Sequence, residues 1–333
     1  MRTLLSLALI SLCFSLSAQE TINYPYNPDG NADGNITVPD LADFLVNYGN
    51  TFTPTEIQID GVGLAEVIGQ LVDNQNLLQA TVEAQQAYIT QLQQYISISE
   101  ETVLISGANL QVVSGEGSTS AVNGTGNIII GYDENTSDDK SGSHNLVVGQ
   151  GHTYSSYGGI VVGYNNSITG NYSSVSGGQY NTASGTTSSV SGGAYNTASE
   201  GASSVSGGGD NTAEGANSSV SGGYLNTASG EYSSVSGGVD NTAEGNYSSV
   251  SGGQSNTASG EYSSVSGGYN NTAEESNSSV SGGMNNTASG FNSSVSGGYQ
   301  NTAEGFNSSV SGGTGNTASG DYSSASGQYD IND

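Results

Sequence analysis

The sequence predicts a mostly β protein: a parallel β-roll, or β-solenoid, of 15-residue coils, preceded by an α-helical coiled coil and a small calcium loop-and-helix module. Three observations predict it. A unit S-S-V-S-G-G-x-x-N-T-A-[SE]-G-x-x occurs ten times, starting at 173 and at every fifteenth residue through 308, with a degenerate copy at 323. A heptad pattern of apolar residues, almost free of Gly and Pro, runs from Leu64 to Ile96. Oxygen-bearing side chains fall at calcium-loop spacing between Asp29 and Asp40.

Composition removes the ordinary alternatives. Of 333 residues, 51 are Gly, none is Trp and only 33% are hydrophobic, so large apolar side chains are too scarce to fill a conventional core along most of the chain. Thirty Asp and Glu face two basic residues, for a formal net charge of −28. Such a surface repels nucleic acid and anionic membranes, and neither is expected as a partner.

Residues 1–18 carry one cation, Arg2, then an apolar stretch from Leu4 to Leu16 and the small pair Ser17-Ala18, the pattern of a secretory signal peptide. Export to the cell surface or the extracellular space follows. The stretch is too short to span a bilayer, so direct membrane insertion is not expected. Cys13 is the only cysteine and lies inside this leader, so disulfides play no part in the mature chain.

Residues 19–55 form the first mature module. Asp29, Asn31, Asp33, Thr37 and Asp40 occupy loop positions 1, 3, 5, 9 and 12, Gly34 sits at the sharp turn, and Asn35 offers its backbone carbonyl. Calcium needs six to eight oxygens, and the carboxylates of Asp29, Asp33 and Asp40 repel one another unless a cation joins them. The competing reading is an Asx-rich turn that caps the following helix without metal. Pro39 in the first turn, an apolar face at Leu41, Phe44, Leu45 and Tyr48, and a closing Gly49 predict that helix. The segment 29–40 resembles a dockerin-type calcium repeat, which implies a structural Ca2+.

Residues 60–102 are expected to form a coiled-coil stalk. A seven-residue register places Ile68, Gln75, Val82, Ile89 and Ile96 at a, and Leu71, Leu78, Gln85 and Leu92 at d. The polar layers at Gln75 and Gln85 cost stability and fix register, and the helix alone leaves the number of strands open. The competing reading is an amphipathic helix folded onto its own chain.

In residues 173–333 a 15-residue period is too short for a helical repeat and fits one solenoid coil. S-S-V-S and N-T-A-[SE] read as short strands, and the glycines supply the bends. Alternation turns Val175 and Ala183, with their equivalents, inward. Asn181 recurs through Asn316, which stacks amides about 4.8 Å apart in a structural ladder. So thin an interior predicts that chains bundle lengthwise. Residues 104–172 repeat the theme with larger aliphatics in Asn127-III-Gly131, Asn145-LVV-Gly149 and Gly159-IVV-Gly163, expected to be better-filled coils. His144 and His152 in their spacers read as turn residues, with metal ligation the alternative.

The succession N-L-V-V-G, G-I-V-V-G-Y-N-N-S-I-T-G and S-V-S-G-G-x-x-N-T-A-S-G resembles the YadA-like head of trimeric autotransporter adhesins over residues 104–327. That resemblance implies a left-handed parallel β-roll, a homotrimer and an adjoining trimeric coiled coil. A counterpart of that family's translocating barrel is not expected among these residues.

Variable residues fall at the coil corners, where Tyr232, Tyr247, Tyr262, Phe291, Phe306 and Tyr322 form an aromatic stripe among carboxylates. Two readings stand: stacking against a glycan or protein of a host or cell surface, and corner packing between neighbouring chains. Serine and threonine columns lack any histidine to activate them, so no enzyme is expected. The leading expectation is a secreted or cell-surface fibrous adhesin-like protein. The alternatives are a phage-like fibre, an ice- or mineral-binding solenoid, and a purely architectural appendage.

Overall fold

The computed structural model describes residues 22–23, 34–35, 37–47, 58–59, 62–134 and 137–327. The chain divides into two compact units, the first ending at Leu110 and the second beginning at Gln111. The signal segment 1–18 and the loop positions Asp29, Asn31 and Asp33 lie outside the described residues.

In the first unit, β1 (Ile22–Asn23), β2 (Gln58–Ile59) and β3 (Val62–Gly63) make a small antiparallel sheet. The helix expected behind the calcium-loop motif is present as α1 (Val38–Asn47). Thr37 opens it, its carbonyl accepting the Leu41 N–H at 3.1 Å.

Helix α2 (Leu64–Gln93) has 30 residues and spans about 45 Å at ~1.5 Å per residue. None of them is buried, and Ile68, Leu71, Leu78, Val82, Ile89 and Leu92 all stand exposed at heptad spacing. The helix stops short of the expected seam end at Ile96. Residues 96–105 instead form a hairpin, β4 (Ile96–Ser99) paired with β5 (Thr102–Ile105), with Glu100 at φ +49 in the turn. Ile, Val and Thr favour a pleated surface, and the alternation Ile96-Ser97-Ile98-Ser99 suits a strand better than another helical turn.

The second unit is a parallel β-solenoid of about 13 turns. One sheet has 14 strands: β6 (Ile128–Ile130), β7 (Leu146–Gln150), β9 (Ile160–Tyr164), β11 (Ser174–Val175), then one strand per coil to β31 (Ser324–Ala325). The other has 12, from β8 (Thr153–Tyr154) and β10 (Ser167–Ile168) through β12 (Thr182–Ala183) to β30 (Thr317–Ala318). In the regular array each residue pairs with the one 15 places on: Val175 with Val190, Ala183 with Ala198. A third line of parallel bridges, Gln179 to Ala194 and onward, joins the coils between the two sheets.

Backbone geometry at the corners explains how so short a coil closes. Most amides donate to the next coil, as Ser219 N–H does to Ser233 O at 3.0 Å and Thr227 N–H to Asn241 O at 2.8 Å. At two corners per coil the chain enters the left-handed region, as at Leu225 (φ +58) and Tyr232 (φ +57). Their amides turn back to the preceding coil, onto Gly209 O and Ala216 O. Left-handed conformation costs a residue with a Cβ roughly 1–2 kcal/mol. The many Asn and Asp at these corners tolerate it best, and the hydrogen bonds to both neighbouring coils hold the rest in place.

Inside each coil Val and Ala are buried, as expected from alternation, and the Asn ladder is buried with them. Asn226 donates from Nδ2 to Gly222 O and Gly238 O at 3.0 Å each, while Asn211 Oδ1 accepts the Asn226 N–H at 3.0 Å. Repeated along the array, this bonds amide to backbone both within a coil and between coils.

The coils within 104–172 are better filled, as expected, but not by the whole aliphatic triplets, and one spacer residue needs correction. The aliphatic triplets do not all fill their coils: Val147 and Val161 point inward, whereas Leu146, Val148, Ile160 and Val162 lie on the opposite face of the sheet, more exposed. A strand offers alternate residues to each side, so only the middle one of three can enter. Tyr154 and Ile168 widen the interior there, occupying the column that Ala183 continues. Nor is His152 a turn residue. Wholly buried, it takes the ladder position ahead of Asn166, with Nδ1 accepting the Asn166 N–H at 3.2 Å and Nε2 set to donate to Val148 O at 3.0 Å.

The first serine of each unit points into the coil. Ser203 Oγ donates to Glu200 O at 2.7 Å, but the buried hydroxyl of Ser248 has no partner. An unsatisfied buried polar group costs about 1–3 kcal/mol. Ser248→Ala should therefore leave the melting temperature unchanged or raise it, whereas Ser203→Ala should lower it, as differential scanning calorimetry of the two variants will show.

Candidate functional site

The corner expected to carry function is built by the last two positions of the unit. Tyr232, Tyr247, Tyr262 and Tyr322 sit at the left-handed corner residue (φ +57 to +59), while Phe291 and Phe306 occupy the position just before it. Because coils stack in register, a ring at this corner meets the ring 15 residues on. Tyr232, Tyr247 and Tyr262 stack face to face, with centroids 5.0 and 4.9 Å apart and planes within 8°. Phe291 and Phe306 stack at 5.4 Å, and Tyr322 closes that group edge-on at 5.6 Å from Phe306. The structure thus brings the six candidate residues together as two clusters, all of them exposed.

Stacking changes what these rings offer. Both faces of Tyr247 are covered by its neighbours, so it presents its edge and hydroxyl rather than a face on which a sugar could lie. Within the tyrosine stack, only the outer sides of Tyr232 and Tyr262 carry no stacked tyrosine. Desolvation by the packed rings, then the charges of Tyr262 and Tyr232 and lastly the carboxylates of Glu231 and Glu261, hold the Tyr247 phenol above its usual value. Desolvation does the same for Tyr157, which meets Tyr172 edge-on at 5.1 Å.

A further cluster lies at the other variable corner, away from the six candidate residues. Tyr180 and Tyr195 stack at 4.9 Å with planes within 4°, and Tyr164 meets Tyr180 edge-on at 5.6 Å. The signal was available: two tyrosines one period apart at the eighth position must stack if the coils do.

Raised phenols fix the alkaline behaviour. They favour the fold while protonated, so their contribution is intact below pH about 10, the ordinary phenol value, and is lost as pH climbs beyond it. Thermal midpoints should hold steady up to that pH and then fall, with Tyr247 and Tyr157 among the last tyrosines to ionise in an ultraviolet titration. Tyr247→Phe should shift that titration toward ordinary values.

Of the calcium-loop candidates, Asn35, Thr37 and Asp40 are described. Asp40, 1% exposed, accepts the Thr37 N–H and the Thr37 hydroxyl on Oδ2, each at 2.8 Å. This is the returning half of a capping box, in which a third-position side chain reaches back to the residue that opens the helix. Asp40 therefore serves the cap, and Asn35 lies exposed just before it.

In the second unit, Lys140 pairs with Asp133 at 2.6 Å, and Asp133 also accepts the Tyr154 hydroxyl at 2.9 Å. Burial, followed by that carboxylate, raises the Tyr154 phenol. His144 accepts the Ser114 N–H on Nε2 at 3.1 Å, and its Nδ1 lies 3.0 Å from Thr119 O, so backbone occupies both nitrogens. Among the described residues, no three His, Cys, Asp or Glu side chains converge as a metal site, and no helix is long and apolar enough to cross a membrane.

Compared with known proteins, the chain matches no family model and no curated sequence.

Proposed function

We propose that this chain is a secreted or cell-surface fibrous adhesin-like protein without enzymatic activity. Its solenoid holds ladders of exposed aromatic edges and hydroxyls against a glycan or protein surface. One observation carries the reading: Tyr232, Tyr247 and Tyr262 are spent on an exposed corner, stacked at a fixed spacing and flanked by carboxylates. Weak contacts repeated along a rigid frame add by multivalency, which suits attachment better than capture of a single small molecule. Self-association, as a homotrimer by the family resemblance, would multiply them again. The uncovered heptad stripe of α2 supports it, since it resembles one half of a coiled-coil seam. Export rests on the leader pattern of 1–18, and a structural Ca2+ on the spacing of Asp29, Asn31, Asp33, Asn35, Thr37 and Asp40.

Binding of the whole protein to a glycan array and to cells tests the reading. The combined Tyr232→Ala, Tyr247→Ala and Tyr262→Ala variant should lose most retention while keeping its circular dichroism. Equal retention by this variant would remove the tyrosine corner from the function. A second reading is favoured by the covered ring faces: the stacks serve as architecture. On that reading the variant melts earlier and binds as well as the parent.

A further inference from the structure

The two sheet faces of the solenoid differ in charge. In every unit of the regular array, the outward positions of the 14-stranded sheet are the second and fourth serines, such as Ser234 and Ser236, Ser249 and Ser251. No carboxylate falls on either position in ten units. The acidic residues of the array sit elsewhere, at the eighth position (Asp240), the twelfth (Glu244), the thirteenth (Glu275) and the fourteenth (Glu261). The twelfth position, on the outward side of the 12-stranded sheet, varies between Ser and Glu from coil to coil, whereas these two stay serine throughout. Inward packing does not account for this uniformity, since both serines face outward, half-buried at the second position and exposed at the fourth.

The same face turns apolar in the earliest coils. Ser174 aligns with Ile160, Ile160 with Leu146, and Leu146 with Ile128. Two residues on, Val162, Val148 and Ile130 form the parallel column. Ile128, Ile130 and Ile160 are each more than two-fifths exposed. Six aliphatic side chains on one continuous sheet face, leading into a charge-free run of small hydroxyls, make a surface that water covers poorly and that a second sheet can approach closely.

We infer that this face is where copies of the chain pack against one another. The occupant is a second copy because charge decides it: two chains of net charge −28 repel wherever carboxylates meet, and of the two sheet faces this one brings none, whereas the 12-stranded face carries the glutamates of the twelfth position. Small serines let backbones approach, and the aliphatic end anchors the contact by burying apolar surface. The inference rests on the self-assembly reading above and adds which surface is used.

Cysteine protection in the full-length protein tests it, with Cys13→Ser removing the only native thiol. Reporter cysteines are placed one at a time by Ser236→Cys on the serine face and Glu244→Cys beside the 12-stranded sheet, and sedimentation gives the oligomeric state of each sample. In the assembled protein the thiol from Ser236→Cys should react with a maleimide about tenfold or more slowly than in the dissociated chain, while that from Glu244→Cys keeps one rate in both. Ser236→Glu together with Ser251→Glu should weaken assembly without altering circular dichroism, because both side chains point outward. If the protein assembles but the Ser236→Cys thiol reacts as fast as the Glu244→Cys thiol, the serine face is not the contact and self-assembly stands. If the parent sediments as a single chain at every concentration, both readings fall.

Discussion

Asn241→Asp should be among the most damaging single substitutions the solenoid can receive, although it exchanges one amide nitrogen for an oxygen of nearly equal size. Asn241 Nδ2 donates to Gly237 O and Gly253 O at 3.0 Å each and to Asn226 Oδ1 at 3.1 Å, while its Oδ1 accepts the Asn256 N–H at 3.0 Å. A carboxylate keeps the acceptor and turns the donor into a second acceptor facing three oxygens. Burying an uncompensated charge costs several kcal/mol, so the introduced carboxyl will bind a proton instead. Its folded-state pKa then lies above the ordinary Asp value of about 3.9, so the variant is least impaired in acid and loses stability as pH rises past that value. Asn241→Ala lacks this pH signature but still leaves the buried Asn256 N–H without its partner, a loss of about 1–3 kcal/mol before any cavity is counted.

The form of the loss is diagnostic as well. Each coil touches only its neighbours, so stability sums over coils and interfaces, and a fault in the middle can divide the array. Calorimetry of Asn241→Asp at neutral pH should show two transitions where the parent shows one, merging again as pH falls. A single unshifted transition would mean that the ladder contributes little.

Gly207 and Gly208 should respond oppositely to the same substitution. A Cβ at Gly208 would lie 2.2 Å from Gly223 O, in a backbone held at φ +87, whereas a Cβ at Gly207 meets nothing within 4 Å. Gly208→Ala must push two coils apart, straining the Gly209 N–H bond to Gly223 O, now 3.0 Å. Left-handed strain alone is worth ~1–2 kcal/mol, and the steric overlap comes on top of it. Gly207→Ala narrows the unfolded ensemble and should be neutral or stabilise by about 0.4–1 kcal/mol. Urea denaturation followed by circular dichroism separates the two, and equal midpoints would contradict the close approach of the coils at Gly208.

Much of this was legible in the residues. The 15-residue period located the strands at Ser174–Val175 and Thr182–Ala183, and alternation assigned Val and Ala to the interior. Recurrence of Asn at one position announced the ladder. Less legible was the candidate corner. Sequence put Tyr232, Tyr247 and Tyr262 one period apart on the surface, but their mutual stacking, which covers the faces a sugar would need, appears only when coils lie in register. Sequence also carried α2 past Gln93, because Ile96 satisfies a heptad as well as it satisfies a strand.

The amino-acid order by itself determined the period, the inward columns and the placing of negative charge, since each follows from chemistry repeated within a few neighbouring residues. Only the tertiary structure decided which of two adjacent glycines is indispensable, why His152 can stand where an asparagine belongs, and which aliphatics are left facing outward. Those outcomes depend on atoms fifteen residues apart being brought within hydrogen-bonding distance. No local pattern records that proximity until one coil is laid on the next.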